Sequence, residues 1–380
     1  MGPLQGIRVL ELAGLGPAPF GCMLLADLGA EVVRVERTGG GSRVSATDDA
    51  GRGESDPRRY IPHRGRRSIA LDLKSPEGRD MLLRLVERAD VLVEGYRPGV
   101  AERLGLGPDE CLARNPRLVY ARMTGWGQNG PLARSAGHDI NYIALAGVLD
   151  NFRRTGERPL PPLNVVGDMG GGGMLLAFGI AAALVHVGST GQGQVIDAAM
   201  VDGAALQLST ILGMRAQGRW PGEPGSNSSD TGAPYYEVYE CADGRFLAVG
   251  AIEKPFWAEF VERLGLPADE LPDRDDPAQW PEGKLRLAEV LRTRSRDDWV
   301  SVFDGSDACV SPVLSFDEAP LHPHAVARSA FIDVGGTIQP APAPRFSETP
   351  AALPTAPPQR GADTEAVLRE WGIAAELSRP

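Results

Sequence analysis

The sequence predicts an α/β protein in two parts, a large doubly wound domain over roughly the first 200 residues and a smaller α+β domain after it. Three observations carry this. Short β-rich runs alternate with stretches of helical spacing from residue 7 to residue 125. A segment rich in Gly, Pro and Ser (GRWPGEPGSNSSDTGAP, 218–234) then interrupts the chain. Beyond it, two β-rich runs flank Ala242-Asp243-Gly244, a hairpin signal. With 380 residues the chain is long enough to bury sizeable cores without disulfides or metals.

In order, residues 7–13 (IRVLELA) read as a strand, 19–29 (PFGCMLLADLG) as a helix closed by Gly29, and 31–36 (EVVRVE) as a second strand. The pattern repeats with IALDL (69–73), a helix in PEGRDMLLRLVERA with Pro76 in its first turn, VLVEG (91–95), a helix near 100–114 and LVYARMTG (118–125). An apolar helix covers 174–187. The boundaries expected are 1–200 for the large domain, 201–229 for a linker and 230–329 for the small domain, which carries helices at 255–265 and 284–294. A Pro-rich arm (339–360) leads to a last helix at 363–371, as if the segment 330–380 returned to dock.

Composition narrows the function. The 39 Lys+Arg stand against 50 Asp+Glu, a formal net charge of -11, which argues against nucleic acid or an anionic membrane as the main partner and leaves room only for a local basic pocket. The four cysteines (Cys22, Cys111, Cys241, Cys309) form no CxxC, so neither zinc nor a disulfide framework is signalled and reduced thiols in the cytoplasm are expected. The start MGPLQGIRVLELAG lacks the pattern of a signal peptide, and the longest apolar run, Met174 to Val187, is short for a bilayer. A soluble protein is expected, with no membrane insertion. His322-Pro323-His324 has no partner at ligand spacing, so no metal is expected.

Four places could carry chemistry. Gly14-Leu15-Gly16-Pro17-Ala18-Pro19 is a near miss to the dinucleotide fingerprint, with Glu36 placed as a ribose-binding acid would be, and it keeps an NAD-dependent dehydrogenase as an alternative; Pro19 in place of the third Gly opposes it. In Ala136-Gly137-His138-Asp139, Asp139 is a natural N-cap and His138 stands at a helix entrance whose N–H groups face a developing oxyanion. Asp168 is either another N-cap or a functional acid. The four glycines after it, Gly170 to Gly173, each weaken a helix by about 1 kcal/mol and point to close approach of a ligand to the backbone. Glu253, at a strand-to-helix junction, reads as a solvated first-turn acid.

RPGVAERLGLGP (97–108), AGHDINY (136–142) and GDMGGG (167–172), in this order and with GPLQGIRVLELAGLGPAP at the start, resemble the family III (CaiB/BaiF) CoA transferases over nearly the whole chain, and within them the bacterial α-methylacyl-CoA racemases. The resemblance implies a Rossmann-like large domain completed by the returning C-terminal segment, and two protomers interlocked as rings. It implies His138 and Asp168 as the two bases of an epimerisation of 2-methylacyl-CoA thioesters, and Glu253 as the partner that orients His138. It further implies contacts to CoA at Arg37, Leu71, Asp72, Leu73, Lys74, Tyr96, Arg97, Arg103 and Asp139. CoA is part of the substrate, and no other cofactor is called for. Within the family the alternative is transfer of CoA between carboxylic acids, with Asp168 as nucleophile. Residues 38–63 form a longer polar segment than the shorter racemases carry before the turn Arg64 to Ser68. Met169, Met174, Met200 and Met214 offer soft surroundings for an acyl chain.

Overall fold

Side chains in a strand alternate between the two faces of its sheet, so a strand buried on both faces reads as a continuous apolar run. The first strands here do so. The computed structural model describes residues 2–38, 56, 59–267 and 270–373. Most of the polar segment 38–63 and residues 374–380 therefore lie outside the described residues. The chain begins β1 (Arg8–Leu12), α1 (Pro17–Asp27), β2 (Glu31–Glu36), β3 (Arg66–Ala70), α2 (Pro76–Val86), β4 (Val91–Glu94), α3 (Val100–Arg103), α4 (Pro108–Arg114) and β5 (Val119–Thr124). There follow α5 (Asp139–Leu145), a π-helix (Val165–Met174), α6 (Leu175–Thr190), β6 (Gln194–Ala199) and α7 (Met200–Gln207).

The six strands form one parallel sheet in the order β3-β2-β1-β4-β5-β6, the doubly wound order with its switch point between β1 and β4. Val9, Val32, Val91 and Val119 face α1 and α6, while their neighbours Leu10, Val33, Leu92 and Tyr120 face α2 and α4. Such burial is worth about 25 cal/mol per Å² of apolar surface and accounts for the legibility of these strands.

The remaining elements are α8 (Ser209–Ala216), β7 (Glu237–Glu240), β8 (Phe246–Val249), α9 (Lys254–Leu264), α10 (Trp280–Leu291), α11 (Arg296–Phe303), β9 (Val310–Pro312), α12 (Pro323–Ala327), β10 (Phe331–Val334), β11 (Thr337–Pro340) and α13 (Thr364–Glu370). The chain divides into two compact units. One holds residues 1–146, 163–207 and 326–380; the other holds 147–162 and 208–325 and is built on the antiparallel sheet β7-β8-β9 over a core rich in aromatic rings. In the first unit the returning segment is tied to β3 and α1. The Asp363 carboxylate accepts from the Ser68 N–H (2.8 Å), Thr364 Oγ1 accepts from the Ala70 N–H (3.1 Å), and Arg64 donates to Gln339 while pairing with Asp27. Val367, Trp371 and Ile373 fill the core on the α2 face.

The structure departs from the sequence reading at definite places. The third strand is Arg66–Ala70 rather than 69–73, so the expected turn Arg64 to Ser68 is mostly strand. Its first residue is charged because Arg66, at the sheet interior, pairs with the fully buried Glu11 (2.5 Å), which Arg34 also holds (2.6 Å). Burial alone would raise the Glu11 carboxyl, but the two guanidinium groups outweigh it and hold it low. The expected helix near 100–114 is two helices parted at Gly105 to Gly107. The expected linker 201–229 holds most of α7 and all of α8, and residues 147–162, expected in the large domain, pack with the second unit. Strand β6 and helix α11 were not expected.

Candidate active site

Ligands of an open α/β sheet bind at the carboxyl ends of its strands, near the switch point. A cleft of about 240 Å³ lies there in the first unit. It is lined by Leu15, Pro17 and Ala18 after β1, by Gly95 to Pro98 after β4, by Met123 to Trp126 at the end of β5, and by Ala133 and Ser135 to His138 with Tyr142 from the α5 region. The β4 loop is fixed from below. The buried Glu94 accepts from the Tyr96 N–H (2.6 Å) and from Arg122 (2.8 Å), whose other arm reaches Glu102 of α3 (2.9 Å). Burial raises the Glu94 carboxyl despite these partners.

His138, not Asp139, is the N-cap of α5; its N–H donates to Asn141 Oδ1 (3.0 Å) and its side chain is exposed to the cleft. Asp139 occupies the first helical position and is only 6% exposed. Its Oδ1 accepts from the main-chain N–H of Asp168 (2.6 Å), 29 residues on. Asp168 lies on the π-helix, a wide turn that is rare and recurs at functional sites. Its Oδ2 accepts from Asn164 Nδ2 (3.2 Å). Burial raises its carboxyl, the Asn164 hydrogen bond opposes this, the Asp139 charge adds to it and the nearby His138 lowers it, with a net upward result. Tyr142, stacked edge-on against Trp126 at 4.8 Å, is pushed up to about 12 by burial and then by the Asp168 charge.

The glycine run has a cause other than the one the sequence implies. A Cβ on Gly171 would stand 2.6 Å from the Ala204 nitrogen, one on Gly172 2.8 Å from Pro17 Cβ, and one on Gly173 2.7 Å from the Pro17 carbonyl oxygen. These glycines are buried and let the π-helix pack against α1 and α7, which accounts for the run. Gly170 is less tight, with a Cβ there 3.1 Å from Gln207 Oε1 and 3.2 Å from the Val165 carbonyl oxygen.

The expected CoA residues fall along one edge of the sheet. Arg37 follows β2 and is exposed, Leu71 to Lys74 form the turn after β3, and Tyr96 and Arg97 line the cleft after β4. Arg103 ends α3, and its Nη1 would be 3.2 Å from a Cβ on Gly99. The Asp139 side chain is turned to the Asp168 main-chain N–H. Glu253 is the exposed N-cap of α9 in the second unit. Of the four methionines only Met200 lines the cleft, joined by Met123. Glu36 is engaged by Ser68 Oγ (2.5 Å) and by Arg34 (3.6 Å), so it does not stand free for a ribose. Trp126, Tyr142 and the Glu94–Arg122 pair were missed; the charged residue inside the apolar run VLVEG was the available signal. Among the described residues no group of three or more His, Cys, Asp and Glu could hold a metal ion.

Residues 4–364 match the model of CoA-transferase family III. The chain is 47% identical over 376 residues to the alpha-methylacyl-CoA racemase of Mus musculus, covering 98% of this chain and 94% of that protein. It is 32% identical to the acetyl-CoA:oxalate CoA-transferase of Acetobacter aceti, covering 94% and 92%. Among solved structures, a CAIB/BAIF family protein from Brucella suis superposes with a TM-score of 0.81 at 25% identity, over 97% of this chain and 99% of the other.

Proposed function

The chain belongs to CoA-transferase family III, and from that membership we propose that it is a racemase interconverting (R)- and (S)-2-methylacyl-CoA thioesters in the cytoplasm. One group takes the α-proton on one face of the carbon, the electron pair moves onto the thioester oxygen as an enolate, and a protonated group of the other kind returns a proton on the opposite face. His138 and Asp168 are the two groups, and they exchange roles with direction. Main-chain N–H groups at the start of α5 are the donors we assign to the enolate oxygen. Glu253 is assigned to orient His138. CoA lies along the strand ends, its phosphates held by Arg97, Arg103 and Arg37 and its chain passing Tyr96 and Leu71 to Lys74, with no further cofactor.

The observation that carries the reading is an imidazole lining the switch-point cleft together with an acid of raised proton affinity close enough to feel that imidazole's charge. A nucleophilic carboxylate needs no imidazole beside it, and the identity to the mouse racemase exceeds that to the oxalate transferase.

The working form proposed is an interlocked homodimer. The π-helix and α6 run together for 26 residues, longer than the apolar run in the sequence. One side, Leu176, Ile180, Ala183 and Val187, is in the core, while Phe178 and Val185 are more than two-thirds exposed and would be covered by a second copy.

The test is incubation of one 2-methylacyl-CoA epimer in deuterated water. Uptake of one deuterium with loss of stereochemical purity and no acceptor acid is expected, and His138→Ala and Asp168→Ala should each slow it by about 10²-fold or more. Movement of CoA that depends on an acceptor acid, with no deuterium uptake, would establish transfer instead.

A further inference from the structure

We infer that Asp139 is the positioning residue of the pair, a carboxylate that joins the helix start carrying His138 to the turn carrying Asp168 and places its charge beside that turn. The inference rests on the racemase reading for the roles of those two groups. Three observations lead to it.

The first is the reach of the hydrogen bond. Asp139 Oδ1 accepts from the Asp168 N–H at 2.6 Å, across 29 residues of chain, in a carboxylate that is 6% exposed. A residue at the first position of a helix ordinarily spends its carboxylate on its own first turn. Here it spends it on another element, so the backbone of Asp168 is fixed relative to the residue next to His138.

The second is the space around it. A Cβ on Gly167 would stand 2.6 Å from Asp139 Oδ1, so the residue before Asp168 must be small for the contact to close.

The third is the other oxygen. Among the described residues Asp139 Oδ2 is buried with no hydrogen-bond partner. A cap that served stability alone would satisfy both oxygens or leave the second in water, because a buried unpaired acceptor costs about 1–3 kcal/mol. An unscreened carboxylate beside Asp168 has an electrostatic use: it disfavours a second negative charge and so favours the protonated form of Asp168. The groups that face Asp168 are Asn164 on its own turn and His138, Asp139 and Tyr142 of the α5 region. Of α1, α6, α7, β5 and β6, the other elements packed on the π-helix, none brings a charged group that acts on it among the described residues.

The experiment compares Asp139→Asn, which keeps an acceptor for the Asp168 N–H and removes the charge, with Asp139→Ala, which removes both. Two readouts are taken on the full-length protein. One is the carboxyl titration of Asp168 by ¹³C NMR in protein labelled at aspartate, assigned with Asp168→Asn, which needs no turnover. The other is the pH profile of α-proton exchange.

For Asp139→Asn the Asp168 titration, and the acid limb of kcat/KM in the direction in which Asp168 is the base, should move lower by about one pH unit, with exchange at the optimum within about tenfold of wild type. Asp139→Ala should lose about 10²-fold in kcat, because a displacement of about 1 Å costs that much. An Asp168 titration unmoved in Asp139→Asn would overturn the inference, as would an Asp139→Ala enzyme within twofold of wild type. If Asp139→Ala fails to fold, Asp139→Asn decides alone. A wild-type protein that exchanges no α-proton would defeat the racemase reading, and the titration would still report on Asp139.

Discussion

Gly171→Ala should damage this protein although alanine is the better helix former. In a helix interior the exchange of Gly for Ala contributes about 1 kcal/mol of stability. Against that, the new Cβ would stand 2.6 Å from the Ala204 nitrogen, 2.9 Å from the Gly203 carbonyl carbon and 3.1 Å from the Met200 carbonyl oxygen. All three are backbone, and none can swing aside. Ordinary contacts begin near 3.5 Å, so α7 and the π-helix must part by about 0.9 Å. Overpacking of this kind costs about 1–3 kcal/mol, and here it must also overcome the helix-propensity gain.

Net destabilisation of up to about 2 kcal/mol lowers Tm by up to about 6 °C for a unit of this size. Asp168 sits on the same turn as Gly171, so the displacement reaches the reacting centre, and exchange should fall by about 10²-fold. Gly170→Ala is the milder comparison, because a Cβ there would stand 3.1 Å from Gln207 Oε1 and 3.2 Å from the Val165 carbonyl oxygen, and it should cost less than Gly171→Ala. Thermal melts followed by circular dichroism and deuterium uptake, taken on both variants, make the comparison. A Gly171→Ala protein with wild-type Tm and rate but a raised KM would refute the packing account and restore a ligand-facing glycine run.

Asp168→Asn should abolish exchange yet raise Tm at pH 8 by about 2 °C. The folded carboxyl has a raised pKa, so its contribution to stability is present below the unfolded value and is lost as pH rises through the folded one; the gain from Asn should therefore fade toward pH 4, and a gain independent of pH would contradict the raised proton affinity. Arg97→Ala should raise KM for acyl-CoA about tenfold with little change in kcat, since a phosphate contact is alike in ground and transition states; steady-state kinetics with CoA and dephospho-CoA esters check this, and an unchanged KM for both removes Arg97 from the site. Phe178→Asp should shift the protein toward a monomer of 40.4 kDa in light scattering at micromolar concentration, and an undisturbed dimer would place the interface elsewhere.

How much of this could be read from the residues depended on whether burial coincided with apolar side chains. Strands β1, β2, β4 and β5 were legible because both their faces are buried, and the returning helix α13 was legible from its start signal and spacing. Strand β3 was read three residues late because its buried residues include Arg66 and Ser68, which only the partner Glu11 and the returning segment make tolerable there. Strand β6 was missed because four of its six residues are not buried. The π-helix has no sequence periodicity to find, since its glycines answer to the surfaces of α1 and α7.

The site shows the same division more sharply. Asp139 and Asp168 each have a residue type that suits a helix start, so local propensity accounts for both and discriminates neither. What separates them is tertiary. One carboxylate, buried and half unsatisfied, reaches 29 residues along the chain to hold the other, while the imidazole just before the first of them is left in the cleft. A local rule is broken at Asp139 for the sake of a neighbour, and places where such rules fail are where function is expected. The sequence names the residue types that could do the proposed chemistry; the hydrogen bond from the Asp168 N–H to Asp139 tells the two carboxylates apart, one committed to another element and the other not.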